Sequence, residues 1–296
     1  MAIGLVEHMG DIVAAEPILR QLRHDNPNAY ITWCVREPFR ELLEQHPLLD
    51  EPLIVSCLTE WIFLRRSGVF DKILDLHIQG RECPICLIPL HRPEGNQEIV
   101  QANYYQFGGL LEVMVQYTDL VVRDDRPRLH IPSQVRAAVD RLALPSSYAV
   151  LHCKSNERDR DWPDDKWREL VVELDRSGVV ALVEVGLRAV VAGEPGSPCR
   201  DLCGTVSLLE MAEVIRRATL FIGVDSGPAH IANAVGTYGI VLMGPYRGFE
   251  HHVPYSGEYK TGANATILRE PTGLANLATG RVLAAVGDFL ATSSRK

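Results

Sequence analysis

Residues 221–245, FIGVDSGPAHIANAVGTYGIVLMGP, decide the reading of the fold. Just before and into this stretch, residues 220–224 form a short apolar run whose only turn-forming residue is Gly223, which suits a buried parallel strand. Asp225-Ser226-Gly227-Pro228 then reads as a turn running into a helix start. Ser226 is suited to cap the free N–H groups, Gly227 lets a ligand approach the backbone, and Pro228 fits the first helical turn. Residues 229–235 predict a short helix and 240–243 a second buried strand. The result is a βαβ unit with a helix N-terminus at the carboxyl end of a strand. Unpaired N–H groups and the helix dipole make such a place favourable for an anion. A strand-turn-helix join that binds nothing is the plainer alternative, and position alone does not separate the two.

The same alternation runs outward in both directions. At the start, residues 3–6 predict a strand, Glu7 to Asp11 a loop, 12–24 a helix with Ile12, Ala15, Ile18, Leu19 and Leu22 on one face, and 29–35 a strand. This places Gly10 and Asp11 at the carboxyl end of the first strand, where open α/β sheets bind ligands. Asp11 is either a helix cap or a general base held in a cleft. No G-x-G-x-x-G is present, which disfavours a dinucleotide fold of the dehydrogenase type. A helix over 58–68 carries Arg65 and Arg66, which read as a solvated pair or as contacts to an anionic acceptor. A strand over 72–76 leads to His77, which lines a cleft or packs. A helix over 101–117 is interrupted by Gly108-Gly109. After the linker-like Pro145-Ser146-Ser147 the pattern restarts with strands over 148–152 and 179–185, helices over 164–177 and 207–217, and a closing helix over about 274–290. Ser207 with Glu210 predicts a capping box. Two α/β halves of similar length result, and ligand sites favour the cleft that such a pair of domains makes.

Composition narrows the class. At 46% hydrophobic and 23% charged the chain is an ordinary globular mix, long enough for one large or two medium domains. A net charge of −8 argues against a general nucleic-acid surface. Met1 leads almost directly into a strand-like run with no signal pattern, and no apolar run reaches spanning length, so a cytoplasmic location is expected. Seven cysteines, several in strand contexts, read as reduced buried thiols. Cys83-Pro-Ile-Cys86 is a lone CxxC with no second Cys or His pair at zinc spacing, so no metal is expected.

Three stretches together resemble glycosyltransferase family 9, the heptosyltransferases: HMGDIVAAEPILRQLRHDNPNAYITWCVRE near the start, RDRDWPDDKWRELVVEL, and DSGPAH…GP. Tyr246 stands where the family's motif usually has Thr. The resemblance implies a GT-B architecture, two Rossmann-like doubly wound domains facing across a cleft, with an acceptor-binding domain (1–146) and a nucleotide-sugar-binding domain (147–296). The last helix is expected to pack back on the first domain. It also implies inverting, metal-independent sugar transfer, commonly from ADP-heptose, to a glycan or lipid-linked sugar. Such an acceptor allows peripheral contact with the inner membrane face. No cofactor is implied beyond the nucleotide-sugar substrate.

By the same resemblance Asp11 matches the family's base, with Glu7 and His8 as rivals nearby, and Arg160 falls on its phosphate-binding Lys. Arginine holds a phosphate with two donors, so the role carries over. Ser155, Asn156, Ser226 and Gly227 are expected at the donor phosphates, with Asp225 and His230 orienting the nucleotide. Gly10, His8, His77, Arg65 and Arg66 are expected on the acceptor side. Two other readings remain beside transfer: a GT-B sugar-nucleotide epimerase, and a relative that binds nucleotide sugar without turnover.

Overall fold

The computed structural model describes residues 1–92, 95–178, 180–249 and 251–293. The chain forms two compact units: residues 1–130 with 252–260, and residues 131–251 with 261–296. Their division differs from the expected boundary at residue 146. The helix Ser133–Asp140 packs on the helix Leu208–Arg217 of the second unit, and Arg217 pairs with Asp140 at 2.6 Å, which carries the boundary back to residue 130.

The first unit is built on a parallel sheet of β1 (Ala2–Gly4), β2 (Thr32–Val35), β3 (Glu51–Ile54) and β4 (Ile73–Asp75), in the order β3-β2-β1-β4. The register sets Gly4 beside Cys34 and Asp75, so the carboxyl ends of β1, β2 and β4 lie together. The helix expected over 12–24 is two helices, Met9–Ala14 and Glu16–Asp25. Pro17 lacks the N–H a continuous helix would need and instead occupies the first turn of the second. The helix expected over 101–117 is likewise broken. Gly108, at φ 124°, separates the short turn Tyr104–Phe107 from the helix Leu110–Val115. The segment 252–260 closes this unit, with Lys260 paired to Glu112 and Arg126 to Glu258.

The second unit holds a six-stranded parallel sheet: β5 (Tyr148–His152), β6 (Ala181–Glu184), β7 (Cys199–Asp201), β8 (Leu220–Val224), β9 (Gly239–Met243) and β10 (Ala265–Arg269). The order is β10-β9-β8-β5-β6-β7, which puts the motif strand β8 between β5 and β9. β5, β8 and β9 are buried along their whole length, as parallel strands covered on both sides must be. The strand expected from 179 begins at Ala181, residue 179 itself lying outside the described residues. The capping box forms: Glu210 N–H donates to Ser207 Oγ at 3.3 Å and Ser207 N–H to Glu210 at 2.9 Å. The closing helix is Thr279–Ser293, and it belongs to the second unit. Val282 and Val286 enter that unit's core, where the helix meets Asp164–Ser177. The segment that rejoins the first unit is 252–260 instead.

Gly4 in β1 carries a specific packing demand. A Cβ there would lie 2.1 Å from the ring of the buried Trp61. Gly4→Ala is expected to destabilise the first unit by about 1–3 kcal/mol through overpacking, seen as a lower urea midpoint with an unchanged m value.

Candidate functional site

In the first unit, the chain leaves β1 through Leu5–Glu7 and enters the helix Met9–Ala14 with His8 as its N-cap. Asp11 is therefore in the first turn and is not the capping residue. Its side chain is half-buried, and among the described residues no side-chain hydrogen bond or ion pair engages its carboxylate. Its two neighbours are held differently. The buried Glu7 accepts from Arg36 at 2.9 Å and from Arg81 at 3.3 Å. Burial pushes its carboxyl up, but Arg36 and Arg81, with His8, bring it below the ordinary value. Arg81 also reaches His8 Nε2 at 2.8 Å, so one guanidinium spans both rivals of Asp11. A buried carboxylate between two arginines is a poor proton acceptor, which favours Asp11 over Glu7 as base. Gly10 is buried in the same turn.

Two residues expected on the acceptor side are used inside the unit. His77 is buried, and its Nε2 accepts Val6 N–H at 3.1 Å, so the ring carries its proton on Nδ1 and donates it to Asp75 at 2.7 Å. Arg65 donates to the other Asp75 oxygen at 2.6 Å and to the His91 carbonyl. Burial opposes the Asp75 charge, but His77, Arg92 and Arg65 hold its pKa at about 2. Arg65 is thus committed to a buried ion pair beneath the loop after β4, while Arg66 is exposed.

In the second unit, the loops after β5, β8 and β9 converge because those three strands are neighbours and end in register. The loop after β5 ends in a short turn, Arg158–Arg160, which brings Arg160 Nη1 to 3.6 Å from Asp225. At that distance the two interact by charge rather than by a hydrogen bond. Tyr246, from the loop after β9, sets its ring 4.7 Å from the Arg160 guanidinium and 5.3 Å from that of Arg247. Arg247 in turn pairs with Glu157 at 2.7 Å, which ties the β9 loop to the β5 loop. The substitution of Tyr for Thr in the motif thus supplies an aromatic face for two cations.

Ser226 is the N-cap of the helix Gly227–Val235, but its hydroxyl does not cap it. The hydroxyl donates to the Val224 carbonyl at 3.1 Å and lies 3.0 Å from His152 Nδ1, which fits an Nδ1–H donating to Ser226. The Ser226 side chain therefore does not have the capping role expected of it. Among the described residues no acceptor takes the Gly227 N–H, and Pro228 has none to offer, so the helix start presents unsatisfied positive character. Ser155 is also turned inward: its N–H and hydroxyl reach Asp161 at 2.7 and 3.0 Å, and it accepts Glu157 N–H at 3.1 Å. Asn156 is exposed on the same loop, and His230 is buried in the second turn of the helix.

Sequence reasoning passed over His152 and Arg81, and read Tyr246 only as a departure from the motif. His152 was read only as the end of an apolar strand. Gly186 leaves room for its ring, since a Cβ there would lie 3.5 Å from it, and a Cβ on Gly223 would lie 3.2 Å from the His152 Cβ. A histidine closing an otherwise apolar strand was the available signal. A cavity of about 380 Å³ lies elsewhere in this unit, along Tyr238, Leu268, Arg281 and Phe289, and none of the candidate residues lines it.

The two parallel α/β units, with an arginine and a helix start meeting at the carboxyl ends of the second sheet, are those of a GT-B glycosyltransferase fold. The chain belongs to glycosyltransferase family 9 (heptosyltransferase), whose model matches residues 89–267. It is similar to lipopolysaccharide heptosyltransferase 3 of Escherichia coli K12, at 30% identity over 119 residues, 38% of this chain and 35% of that protein. The matched stretch thus spans about a third of the curated relative's length. Among solved structures it resembles E. coli ADP-heptose lps heptosyltransferase II, at a TM-score of 0.73 and 18% identity, covering 99% of both chains. A glycosyltransferase family 9 structure from Veillonella parvula DSM 2008 matches at the same TM-score and identity, covering 98% of this chain and 97% of that one.

Burial alone pushes His152 down to about 4, against an ordinary 6.5. The unfolded chain therefore takes up a proton between these values that the folded chain does not. His152 contributes stability fully present above pH 6.5 and lost as pH falls toward 4, at most about 3 kcal/mol. His46 in the first unit, also pushed to about 4 by burial, acts in the same direction. The melting temperature is expected to fall between pH 7 and 4.5. His152→Asn, which can still donate to Ser226 without titrating, is expected to flatten that slope. An unchanged slope would show that the ring is solvated in solution.

Proposed function

We propose that the protein transfers a sugar, most simply a heptose from ADP-heptose, to a hydroxyl of a glycan, a lipopolysaccharide core or a smaller acceptor. The anomeric centre is inverted, and the chemistry needs no metal. The observation that carries this reading is the meeting of Arg160, Asp225 and the unsatisfied Gly227 N–H at one strand end of the second unit. Family membership and the activities for which the relatives are named support the heptose and the lipopolysaccharide acceptor.

The residues divide the work by charge. A leaving nucleoside diphosphate gains negative charge, and fixed donors aimed at it lower the barrier. Arg160 and the start of the helix Gly227–Val235 supply them, and the Tyr246 ring and Asp225 hold the guanidinium in place. Asn156 is free to turn from its exposed loop toward the same phosphates. Ser155 contributes by shaping that loop through Asp161. Asp225 and His230 orient the donor from beside and within the helix. In the first unit Asp11 takes the proton of the attacking hydroxyl, while Arg81 keeps Glu7 and His8 in a fixed arrangement next to it. Gly10 and His8 border the acceptor.

ADP at about 100 times its dissociation constant is expected to stabilise the protein by roughly 2.7 kcal/mol, read as a shift in melting temperature, with UDP and GDP giving less. With ADP-heptose and a truncated lipopolysaccharide acceptor, ADP release is the assay. Asp11→Asn is expected to keep the ADP shift and lose about 10²–10⁴-fold in transfer. Arg160→Ala is expected to weaken both. Full transfer by the Asp11 variant would remove the base from this scheme.

A further inference from the structure

The loop after β4 carries a feature that the transfer chemistry does not use. Residues 81–90 form a tight hairpin. Leu90 N–H donates to the Arg81 carbonyl at 2.7 Å, Cys83 N–H to Ile88 at 3.0 Å, and Leu87 N–H back to the Cys83 carbonyl at 2.9 Å. Glu82 and Pro89 pair across it. Leu87, directly after Cys86, is held at φ 56°, a left-handed conformation that costs a branched side chain energy. This fold of the backbone sets Cys83 and Cys86 close together. A third thiol arrives from outside the hairpin: Cys57, N-cap of the helix Leu58–Leu64.

The three sulfurs all lie within 4.8 Å of one another, and Cys57 and Cys86 are 3.9 Å apart. A disulfide would need about 2.05 Å. Thiolates at about 2.3 Å around a tetrahedral zinc lie about 3.8 Å from each other. The Cys57–Cys86 spacing matches that of shared ligands, and the other two pairs lie within 4.8 Å. Cys83 and Cys57 are buried and Cys86 is exposed, so the cluster is enclosed on two sides and open on one. A second observation points to an occupant. The Thr59 hydroxyl is buried with no hydrogen-bond partner of normal geometry among the described residues, and it lies against the Cys83 and Cys86 sulfurs. A buried hydroxyl without a partner is costly, and thiolates are acceptors for it.

We propose that Cys57, Cys83 and Cys86 bind one soft divalent metal ion of the zinc class, leaving a fourth position open to water on the exposed side. Each thiol passes its proton to solvent as it ligates, with no change of oxidation state. The ion staples the hairpin to the start of the helix Leu58–Leu64. At the base of that hairpin stands Arg81, which holds Glu7 and His8. The metal is thus a structural support for the loop around Asp11 and takes no part in the reaction. The assignment rests on the cysteine geometry and the Thr59 hydroxyl, and stands or falls independently of the transferase reading.

The test uses the full chain, purified reduced, loaded with zinc and dialysed. One zinc per chain is expected by elemental analysis, with X-ray absorption on the wild-type protein giving three sulfur ligands at about 2.3 Å. Cobalt in place of zinc is expected to show thiolate charge-transfer bands and the intense visible bands of a tetrahedral site. Cys57→Ser and Cys86→Ser are expected to lose the metal at least 100-fold more readily to a chelator, while Cys203→Ser, in the other unit, keeps it. No bound zinc, a scattering shell with fewer than three sulfurs, or a Cys57–Cys86 disulfide in the reduced preparation would overturn the proposal. The absorption measurement needs no variant, so a misfolded cysteine mutant leaves the test intact.

Discussion

Parallel pairing of β8 between β5 and β9 is the constraint on which the candidate donor site depends. Parallel strands in register finish at the same level, so the loops that follow them emerge side by side. That is why Arg160, eight residues beyond β5, comes to Asp225 at the end of β8, and why Tyr246, just beyond β9, reaches the same guanidinium. None of these contacts is local in sequence. Each follows from hydrogen bonding between apolar strands that carry no chemistry themselves.

The energetic character of the two sheet ends differs. In the second unit two arginines, each paired with a carboxylate, meet a helix start whose capping hydroxyl has turned toward His152. A serine that capped its own helix would have cancelled part of that positive character. In the first unit most charges are already satisfied. Asp75 is closed by His77 and Arg65, and Glu7 by Arg36 and Arg81. Asp11 stands apart as a carboxylate that no side-chain partner engages among the described residues. A group left unsatisfied beside a network of satisfied ones is where ligand chemistry is expected.

The buried pairs also show why charge by itself was a weak guide. Arg65 and Arg66 are adjacent in sequence and identical in type, and both were read together, as a solvated pair or as contacts to an acceptor. The helix expected over 58–68 ends at Leu64 with Arg65 as its C-cap, and the chain turns away there, so Arg65 reaches Asp75 inside the unit while Arg66 meets solvent. His77 is similar: a strand-end histidine lines a cleft or packs, and the backbone N–H of Val6 decided for packing.

The sequence by itself determined the strands and helices that matter most: the boundaries of β5, β8 and the helix Asp164–Ser177 follow from apolar runs and periodicity, and the capping box at Ser207 from two residues. The family and the motif at residues 225–230 were legible too, because those residues are contiguous and their types are dictated by a turn. Tertiary structure alone decided the rest. It returned residues 252–260 to the first unit, turned the Ser226 hydroxyl to His152, and brought Cys57 to a CxxC twenty-six residues away. These outcomes depend on which strands pair and which cavities remain after packing. Such facts belong to the whole core and leave no local pattern in the chain.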